Sequence, residues 1–332
     1  MSVLPNQRCG SKPWIPARPG PQFISHDQVY SAFTPADAVA KLRDTLRNGF
    51  DPAGDQSRSA IPVENGEFLI MPSTTPSAFG IKLLSVAPPG YQDDLPRIQG
   101  SYLLFDGTTL SPKALIDGIA VTKLRTPAVS ISCVYDFLAD ASVESPAPLH
   151  VAIFGTGPQG RAHAATVEST FPNREISITF LSRTEPHDLE DRYTWVQAGS
   201  RQAREVTRAA ELVLCTTTAS EPILTKGDVS DSAVIVAVGS HSPQARELAS
   251  DLVASSTVIV EDMGATLREG GDIIQPLNEG VINKTDLLSY ADVVSGKVQV
   301  ARDKPIVFKF TGMPWEDLAL AEAIAEKVSA QG

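Results

Sequence analysis

A glycine-rich segment is the part of the chain whose residue types and spacing predict the most specific chemistry. Its glycines follow the apolar run at residues 151–154 and precede a helical stretch, and a second apolar run lies at residues 176–181. In such a strand–helix–strand unit the glycines permit a tight turn, close approach of a pyrophosphate and close helix–strand packing. Free N–H groups at the helix N-terminus then face the phosphates. The pattern predicts a dinucleotide site comprising Gly155, Thr156, Gly157, Pro158, Gln159 and Gly160.

The end of the second apolar run indicates which dinucleotide binds. NAD sites usually place an acidic residue there, which accepts a hydrogen bond from the ribose 2′-hydroxyl. This chain instead has Ser182, Arg183 and Thr184. A guanidinium pairs well with a 2′-phosphate, and the two hydroxyls can donate to it. We therefore expect NADPH as the cofactor and NADH as the alternative. A solvated Arg183 that confers no preference is the competing interpretation.

Two further loops carry candidate cofactor contacts. Thr216, Thr217 and Thr218 follow the apolar run at residues 212–214, and Val238 and Gly239 end another apolar run. Ligands of open α/β sheets bind outside the carboxyl ends of the strands. We therefore expect both loops to line the cofactor crevice.

These loops need a parallel sheet to position them. Five apolar runs alternate with helical stretches, which is typical of a parallel sheet covered by helices on both faces. A strand at residues 306–308 and an amphipathic closing helix follow. The five runs occupy residues 151–154, 176–181, 212–214, 234–238 and 258–260.

The N-terminal part has a different pattern. After a proline-rich stretch, residues 1–25, which predicts an irregular arm, a helix is expected from Thr34-Pro35. Short apolar runs and a turn at Asp106-Gly107 then predict an antiparallel sheet. We therefore expect an α/β protein with two domains. A Rossmann-type domain would span residues 127–311, with a junction near residues 145–148, and residues 1–126 plus 312–332 would form an α+β substrate and dimerisation domain.

Composition excludes several classes of protein. The net charge of −11 argues against nucleic-acid or anionic-membrane partners. Cys9, Cys133 and Cys215 form no metal-ligand or disulfide pattern, and the last two are expected in the core. No apolar run approaches the ~18 residues of a membrane span, and the first residues lack the features of a secretory signal. We expect a cytoplasmic protein without a metal.

The order of several short motifs resembles the ornithine cyclodeaminase/μ-crystallin family. The resemblance implies a homodimer in which the central domain binds a nicotinamide cofactor. It also implies hydride exchange at a carbon that bears a nitrogen and a carboxylate. The matching motifs, besides the glycine loop and Ser182-Arg183-Thr184, are Met71-Pro72-Ser73, Gly80-Ile81-Lys82, residues 117–126, Arg246-Glu247-Leu248, Gly271-Asp272 and Gly312…Asp317-Leu318-Ala319.

Three basic residues match the substrate-carboxylate site that the resemblance implies, in order and spacing: Arg58, Lys82 and Arg125. A guanidinium such as that of Arg125 suits a bidentate carboxylate contact. Two roles fit Lys82. It contacts the same carboxylate, or it donates a proton to the nitrogen as hydride arrives, with a pKa lowered by burial near Arg125.

Two departures from the family pattern bear on the substrate. Ornithine cyclodeaminases have a glutamate where this chain has Leu69, and an aspartate where it has His241. Because a buried ammonium without a partner is costly, ornithine cyclisation is disfavoured. His241 either acts as an acid near neutral pH or lines the pocket. Asp317 either reaches the substrate or stabilises the start of the last helix, and His163 is expected to be structural or exposed.

The expected function is NAD(P)H-dependent reduction of an imine beside a carboxylate, such as pyrroline-2-carboxylate or piperideine-2-carboxylate, to a cyclic amino acid. Oxidative deamination of an amino acid with NAD, including ornithine cyclodeamination, is one alternative. A non-catalytic, crystallin-like protein that binds NADPH is another. The expected partners are a small imino or amino acid and a second copy of the chain.

Overall fold

The computed structural model describes residues 20–88, 90–91, 95–139 and 147–331. Residues 1–19 of the predicted N-terminal arm and residues 145–146 of the predicted junction lie outside the described residues. Near the end of the arm, residues 22–24 form a strand, contrary to the irregular structure predicted there. Among the described residues no helix is long and apolar enough to cross a membrane. The helices are α1 (His26–Ala32), α2 (Pro35–Arg47), α3 (Gly118–Leu138), α4 (Pro158–Thr170), α5 (Arg201–Ala209), α6 (Ser250–Ala254), α7 (Met263–Glu269), α8 (Gly271–Asn278), α9 (Tyr290–Val294) and α10 (Pro314–Gln331). The strands are β1 (Gln22–Ile24), β2 (Ser59–Val63), β3 (Gly66–Thr74), β4 (Ala78–Val86), β5 (Ile98–Asp106), β6 (Pro112–Asp117), β7 (Leu149–Phe154), β8 (Ile176–Ser182), β9 (Thr194–Gln197), β10 (Leu212–Cys215), β11 (Val234–Ala237), β12 (Thr257–Val260), β13 (Leu287–Ser289) and β14 (Ile306–Lys309).

The first sheet has six strands in the order β1-β6-β5-β4-β3-β2. Neighbours pair antiparallel, except that β1 and β6 are parallel. Burial alternates along β4, because one face of the sheet packs against α10 while the other is more exposed. The predicted antiparallel sheet is confirmed, including the turn after Asp106, whose carboxylate accepts the N–H groups of Thr108 and Thr109.

The second sheet has eight parallel strands in the order β13-β12-β14-β11-β10-β7-β8-β9. Its central strands β10, β11 and β14 are buried along their whole length. Alternate side chains enter two separate hydrophobic cores, one on each face. The predicted parallel sheet is therefore confirmed. One of the two cores continues into the six-stranded sheet, so that a single apolar interior joins the two halves.

Helix α3 connects the two sheets. It contacts β5 and β6 on one side and α4, β11 and β14 on the other. The helix begins at Gly118, where Asp117 accepts the N–H of Ala120, well before the predicted domain boundary at residues 126 and 127. Pro127 lies inside the helix, where burial of almost every neighbouring residue offsets the hydrogen bond that proline cannot make. The domain division at residues 126 and 127 thus falls inside a helix and stays a prediction.

Candidate active site

The glycine loop joins β7 to α4. Gly155 has a φ of +105°, and a Cβ there would lie 2.9 Å from the Thr216 carbonyl oxygen. A Cβ at Gly160 would lie 2.1 Å from the Gly155 carbonyl oxygen, whereas nothing lies within 4 Å of one at Gly157. Among the described residues no side chain caps α4, so its first N–H groups are free to bind an anion on the open side of Gly157.

A cleft of about 810 Å³ extends from this loop. Ala198 and Gly199 also line it; sequence reasoning missed them because the four-residue strand β9 has no distinctive pattern. Pro158, Gln159 and Gly160 form the adjoining first turn of α4. The predicted residues that line the cleft are Gly155, Thr156, Gly157, Ser182, Arg183, Thr184, Thr216, Thr217 and Thr218.

The Ser182–Thr184 turn differs from its prediction in one respect. The Ser182 hydroxyl donates to the Thr184 carbonyl at 2.6 Å and accepts from the Trp195 indole N–H at 2.9 Å. Its proton is therefore used within the turn and is not free for a phosphate, contrary to expectation. Arg183 is exposed and makes no hydrogen bond or ion pair within the described part of the chain. Its guanidinium is thus available to an anion at this end of the cleft.

A buried carboxylate ties the two other predicted cofactor loops together. Glu247 accepts from the Thr217 N–H and hydroxyl with one oxygen, at 2.8 and 2.7 Å, and from the Gly239 N–H with the other, at 2.7 Å. A Cβ at Gly239 would lie 1.9 Å from the Thr217 carbonyl oxygen, so the two loops touch. Val238, just before Gly239, is partly buried in the core. Glu247 thereby fixes the spacing of two strand ends.

Two more buried charges support Glu247. Asp272 accepts the N–H groups of Glu247 and Leu248 at 2.6 and 2.8 Å and lies 3.1 Å from the Lys309 ammonium. Lys309 also donates to the Ser240 carbonyl at 2.5 Å. In the sequence, Glu247 and Asp272 were noticed only as parts of the motifs at residues 246–248 and 271–272. The sequence did not indicate a role for either side chain.

Lys82, Arg125 and Asp317 meet on the buried face of the six-stranded sheet, and we call them the clamp. The Lys82 ammonium lies 2.7 Å from one Asp317 oxygen, and Arg125 Nε lies 3.5 Å from the other. All three side chains are almost fully buried. Burial lowers the pKa of Lys82 to about 8; Asp317 opposes this shift and Arg125 adds to it. The predicted proximity of Lys82 and Arg125 is confirmed, and Asp317 points into the site rather than only stabilising its helix.

The clamp has spare hydrogen-bonding capacity. Lys82 Nζ and Arg125 Nε have no well-directed hydrogen-bond partner among the described residues, and neither Asp317 oxygen has one. Buried polar groups are normally paired. Two cationic groups side by side with donors to spare therefore suit a ligand carboxylate, which would accept from both.

Two further carboxyl groups lie behind Arg125. Glu316 Oε2 lies 3.5 Å from Arg125 Nη1. The carboxyl group of Glu261 adjoins that of Glu316, because the successive N–H groups of Gly312 and Met313 donate to one each. Burial and the nearby Glu261 raise the pKa of Glu316 well above its usual value. A Cβ at Gly312, whose φ is +92°, would lie 2.3 Å from Arg125 Nη1. Sequence reasoning gave neither glutamate a role.

Arg58 and His241 lie nearer the surface. Arg58 forms an ion pair with Glu269 and donates to the Thr311 carbonyl at 3.2 Å. Its charge is thus shared with a carboxylate that sequence reasoning missed, and no contact joins it to Lys82 or Arg125 within the described residues. His241 is exposed. Neighbouring groups that exclude part of the water around its ring, together with the charge of Arg58, lower its pKa from 6.5, so at neutral pH it is uncharged.

Three other residues have a settled structural role. His163 is fully buried, with Nε2 2.7 Å from the Ser130 hydroxyl and Nδ1 2.7 Å from the Gln159 carbonyl. Burial lowers its pKa to about 4, which confirms the expected structural role. Cys133 and Cys215 are free and buried in the core, as predicted; Cys9 lies outside the described residues.

Comparison with known proteins identifies relatives along almost the whole chain. The model of the ornithine cyclodeaminase/mu-crystallin family matches residues 29–332. A Delta(1)-pyrroline-2-carboxylate reductase of Bacillus cereus is 31% identical over 294 residues, which cover 83% of this chain and 86% of that protein. Ketimine reductase mu-crystallin of Rattus norvegicus is 28% identical over 325 residues, covering 94% and 99%.

A solved structure extends the likeness to three dimensions. The Delta(1)-pyrroline-2-carboxylate reductase of Thermococcus litoralis, in complex with NADH and L-proline, matches with a TM-score of 0.79 at 27% identity, covering 94% of this chain and 98% of that one. With the family match above, this shows that the chain belongs to the ornithine cyclodeaminase/μ-crystallin family.

Proposed function

We propose that this chain is an NAD(P)H-dependent oxidoreductase that reduces a C=N bond beside a carboxylate. The observation that carries the proposal is the clamp, in which Lys82 and Arg125 converge on the buried Asp317 and keep hydrogen-bonding capacity to spare within the described residues. The substrates are cyclic imino acids, pyrroline-2-carboxylate or piperideine-2-carboxylate, and the products are proline or pipecolate. The names of the relatives support this class, as does the bound L-proline in the Thermococcus litoralis structure.

The chain's own residues account for substrate orientation and proton supply. Arg125 binds the substrate carboxylate and fixes its plane, which holds the adjacent C=N carbon in one orientation. A bound reduced nicotinamide supplies the hydride. Lys82 donates the proton to the imine nitrogen, because a pKa of about 8 keeps it protonated at neutral pH yet able to transfer a proton. His241, with its lowered pKa, is uncharged at neutral pH and is the weaker candidate for this role.

NADPH is the proposed cofactor, with NADH as the alternative. The uncapped start of α4 and the open space at Gly157 suit the pyrophosphate. Arg183, exposed in the cleft and unpaired within the described residues, suits the 2′-phosphate of NADPH. Glu247 holds the Thr217 and Gly239 loops at the strand ends, where the nicotinamide end of the cofactor would lie.

Ornithine cyclodeamination is the less favoured alternative. Leu69 lies on the same face of the sheet as Lys82, since it pairs with the buried Leu84, and it offers no charge to an amine. His241 adds no negative charge either. The ammonium group of ornithine would therefore lose its water shell with only Asp317 as a carboxylate partner among these side chains, which is unfavourable. Asp317 already faces two cations, Lys82 and Arg125.

Replacement of Lys82 tests the catalytic proposal. Lys82→Met should abolish turnover of pyrroline-2-carboxylate, since the proton donor and a carboxylate contact are lost, while NADPH binding, followed by cofactor fluorescence, persists. The exposed Lys304→Met is the matched control. Unchanged turnover in Lys82→Met would refute the mechanism. Tight NADPH binding by the unaltered protein, with no NADPH consumed across a panel of cyclic imines, would instead favour a non-catalytic binding protein.

We also propose a homodimer formed through the open face of the six-stranded sheet. The strand register places a continuous apolar surface on the face opposite Lys82. Phe79 and Phe105 stack there at 4.8 Å, and Phe23 and Ile61 are 62% and 46% exposed. Monomeric proteins rarely expose large contiguous apolar patches, and sheet-on-sheet packing with a second copy would bury this one. Its members are Phe23, Ile61, Phe68, Ile70, Phe79, Ile81, Leu83, Leu103, Phe105 and Leu115.

A further inference from the structure

Glu261 and Glu316 form a buried carboxyl pair behind the clamp. Glu261 follows β12 and Glu316 lies in the first turn of α10; their exposures are 1% and 0%. The segment at residues 311–313 donates three successive N–H groups to the pair. Thr311 and Gly312 donate to Glu261 Oε2 at 3.1 and 2.9 Å, and Met313 donates to Glu316 Oε2 at 3.2 Å.

The Oε1 oxygens of the pair have no such donors. Within the described residues neither Glu261 Oε1 nor Glu316 Oε1 has a protein N–H or O–H to accept from, although the two carboxyl groups adjoin each other on the successive N–H groups of Gly312 and Met313. Two carboxylates in contact in a buried site repel each other strongly, and one proton between them removes both the repulsion and the unpaired oxygens. The raised pKa of Glu316 agrees with this arrangement.

The charged groups around the pair show how a proton on it changes the charge balance beside Arg125. Arg125 reaches Glu316 from α3, Lys82 reaches Asp317 from β4, and Asp317 is the next residue along α10. Within the part of the chain that the structure describes, the other titratable groups that face the pair are Tyr290 of α9 and Cys133 of α3. Burial raises the pKa values of both well above their usual ranges, so both are uncharged at neutral pH. With one proton on the pair, two cations face two negative charges. Without it, a third negative charge appears 3.5 Å from Arg125.

From this geometry we infer that Glu261 and Glu316 share one proton and that this proton keeps the clamp able to accept a carboxylate. The two glutamates are positioning residues: they act through Arg125 and do not touch the substrate. The inference rests on the proposed function only for the identity of the ligand. Loss of the shared proton adds a negative charge beside the Arg125 guanidinium. The ionised pair then competes with the substrate carboxylate for this guanidinium, which weakens binding of an anionic imino acid.

Infrared spectroscopy tests the proton without any substrate. The difference spectrum of the unaltered protein minus Glu316→Gln at pH 7 should contain the carbonyl stretch of one protonated carboxyl group, shifted in D₂O. Glu261→Gln should also lose this band, because its amide can donate to an ionised Glu316. Glu326→Gln, at an exposed position on the same helix, is the matched control and should keep the band. Absence of the band from the unaltered protein, with all variants folded by circular dichroism, would overturn the inference.

The pH dependence of KM tests the consequence. When the loss of one proton from a group weakens substrate binding, KM rises about tenfold for each pH unit above the pKa of that group. Lys82 and the glutamate pair both act in the unaltered protein, so log KM for the imino acid should rise with a limiting slope near two. In Glu316→Gln only Lys82 remains, and the slope should fall to about one. Equal slopes would show that the pair does not control binding. If the unaltered protein shows the carboxyl band but consumes no imine, the proposed function is rejected and the inference of a shared proton stands.

Discussion

Replacing Gly312 by alanine would push the Arg125 guanidinium out of the clamp. Gly312 has a φ of +92°, and a Cβ there would lie 2.3 Å from Arg125 Nη1 and 2.9 Å from Cζ. The left-handed backbone alone costs alanine about 1–2 kcal/mol. In addition, the guanidinium must retreat by about 1 Å, and a misplacement of that size can lower a rate about 10²-fold. We therefore expect kcat/KM to fall about 100-fold, equivalent to about 2.7 kcal/mol of transition-state stabilisation.

A second glycine separates the two effects. Gly296 has a φ of +77° with nothing within 4 Å of a Cβ, so Gly296→Ala imposes the backbone strain without moving Arg125. Both variants should lose about 1–2 kcal/mol of unfolding free energy, measured by urea denaturation. Only Gly312→Ala should lose imine reduction, measured as NADPH consumption, and its NADPH affinity should remain. Equal kcat/KM in the two variants would refute the reasoning that Gly312 positions Arg125.

Three other outcomes are expected. Arg183→Ala should weaken NADPH binding about 10- to 100-fold, since hydrogen bonds to charged groups contribute about 1.5–3 kcal/mol. The same variant should change NADH affinity by no more than about twofold. Equal losses of affinity for both cofactors would contradict a contact between Arg183 and the 2′-phosphate. Phe105→Lys should convert a dimer into monomers in sedimentation analysis, and an unchanged mass would place the interface elsewhere. Folding lowers the pKa of His163 from 6.5 to about 4. Between these pH values only the unfolded chain binds a proton at this histidine. The free energy of unfolding should therefore drop by about 3 kcal/mol as the pH falls through this range. His163→Gln should flatten this part of the urea-midpoint profile, with the exposed His150→Gln as control, and an unflattened profile would assign the acid sensitivity to other groups.

The glycine loop and the parallel strands could be predicted from local pattern, because each depends on residues close together in the chain. Gly155 and Gly160 are required by contacts within the loop and with the next strand end. The apolar runs predicted β7, β8, β10, β11 and β12 nearly to the residue. The short strands β1, β2, β9 and β13 were missed, since a few residues carry too little periodicity to distinguish a strand from a loop.

The candidate site was only partly predictable. Lys82 and Arg125 were identified from their resemblance to a family pattern, and Arg58 was grouped with them although it pairs with Glu269 instead. The Ser182 hydroxyl was assigned to a phosphate although Trp195 and the Thr184 carbonyl occupy it. In each case the side chain's partner lies far along the chain or in the local backbone, and residue type alone does not show which partner it takes.

The dinucleotide fold follows from the order of residues alone, since close backbone packing at glycines and the burial of apolar strands are local requirements that any structure of this chain must meet. The charge state of the site depends instead on the three-dimensional arrangement. Folding brings Lys82, Arg125 and Asp317 together from β4, α3 and α10, and it places Glu261 against Glu316 from a third region of the chain. Electrostatic interactions depend on distance and burial in space, neither of which is encoded by spacing along the chain.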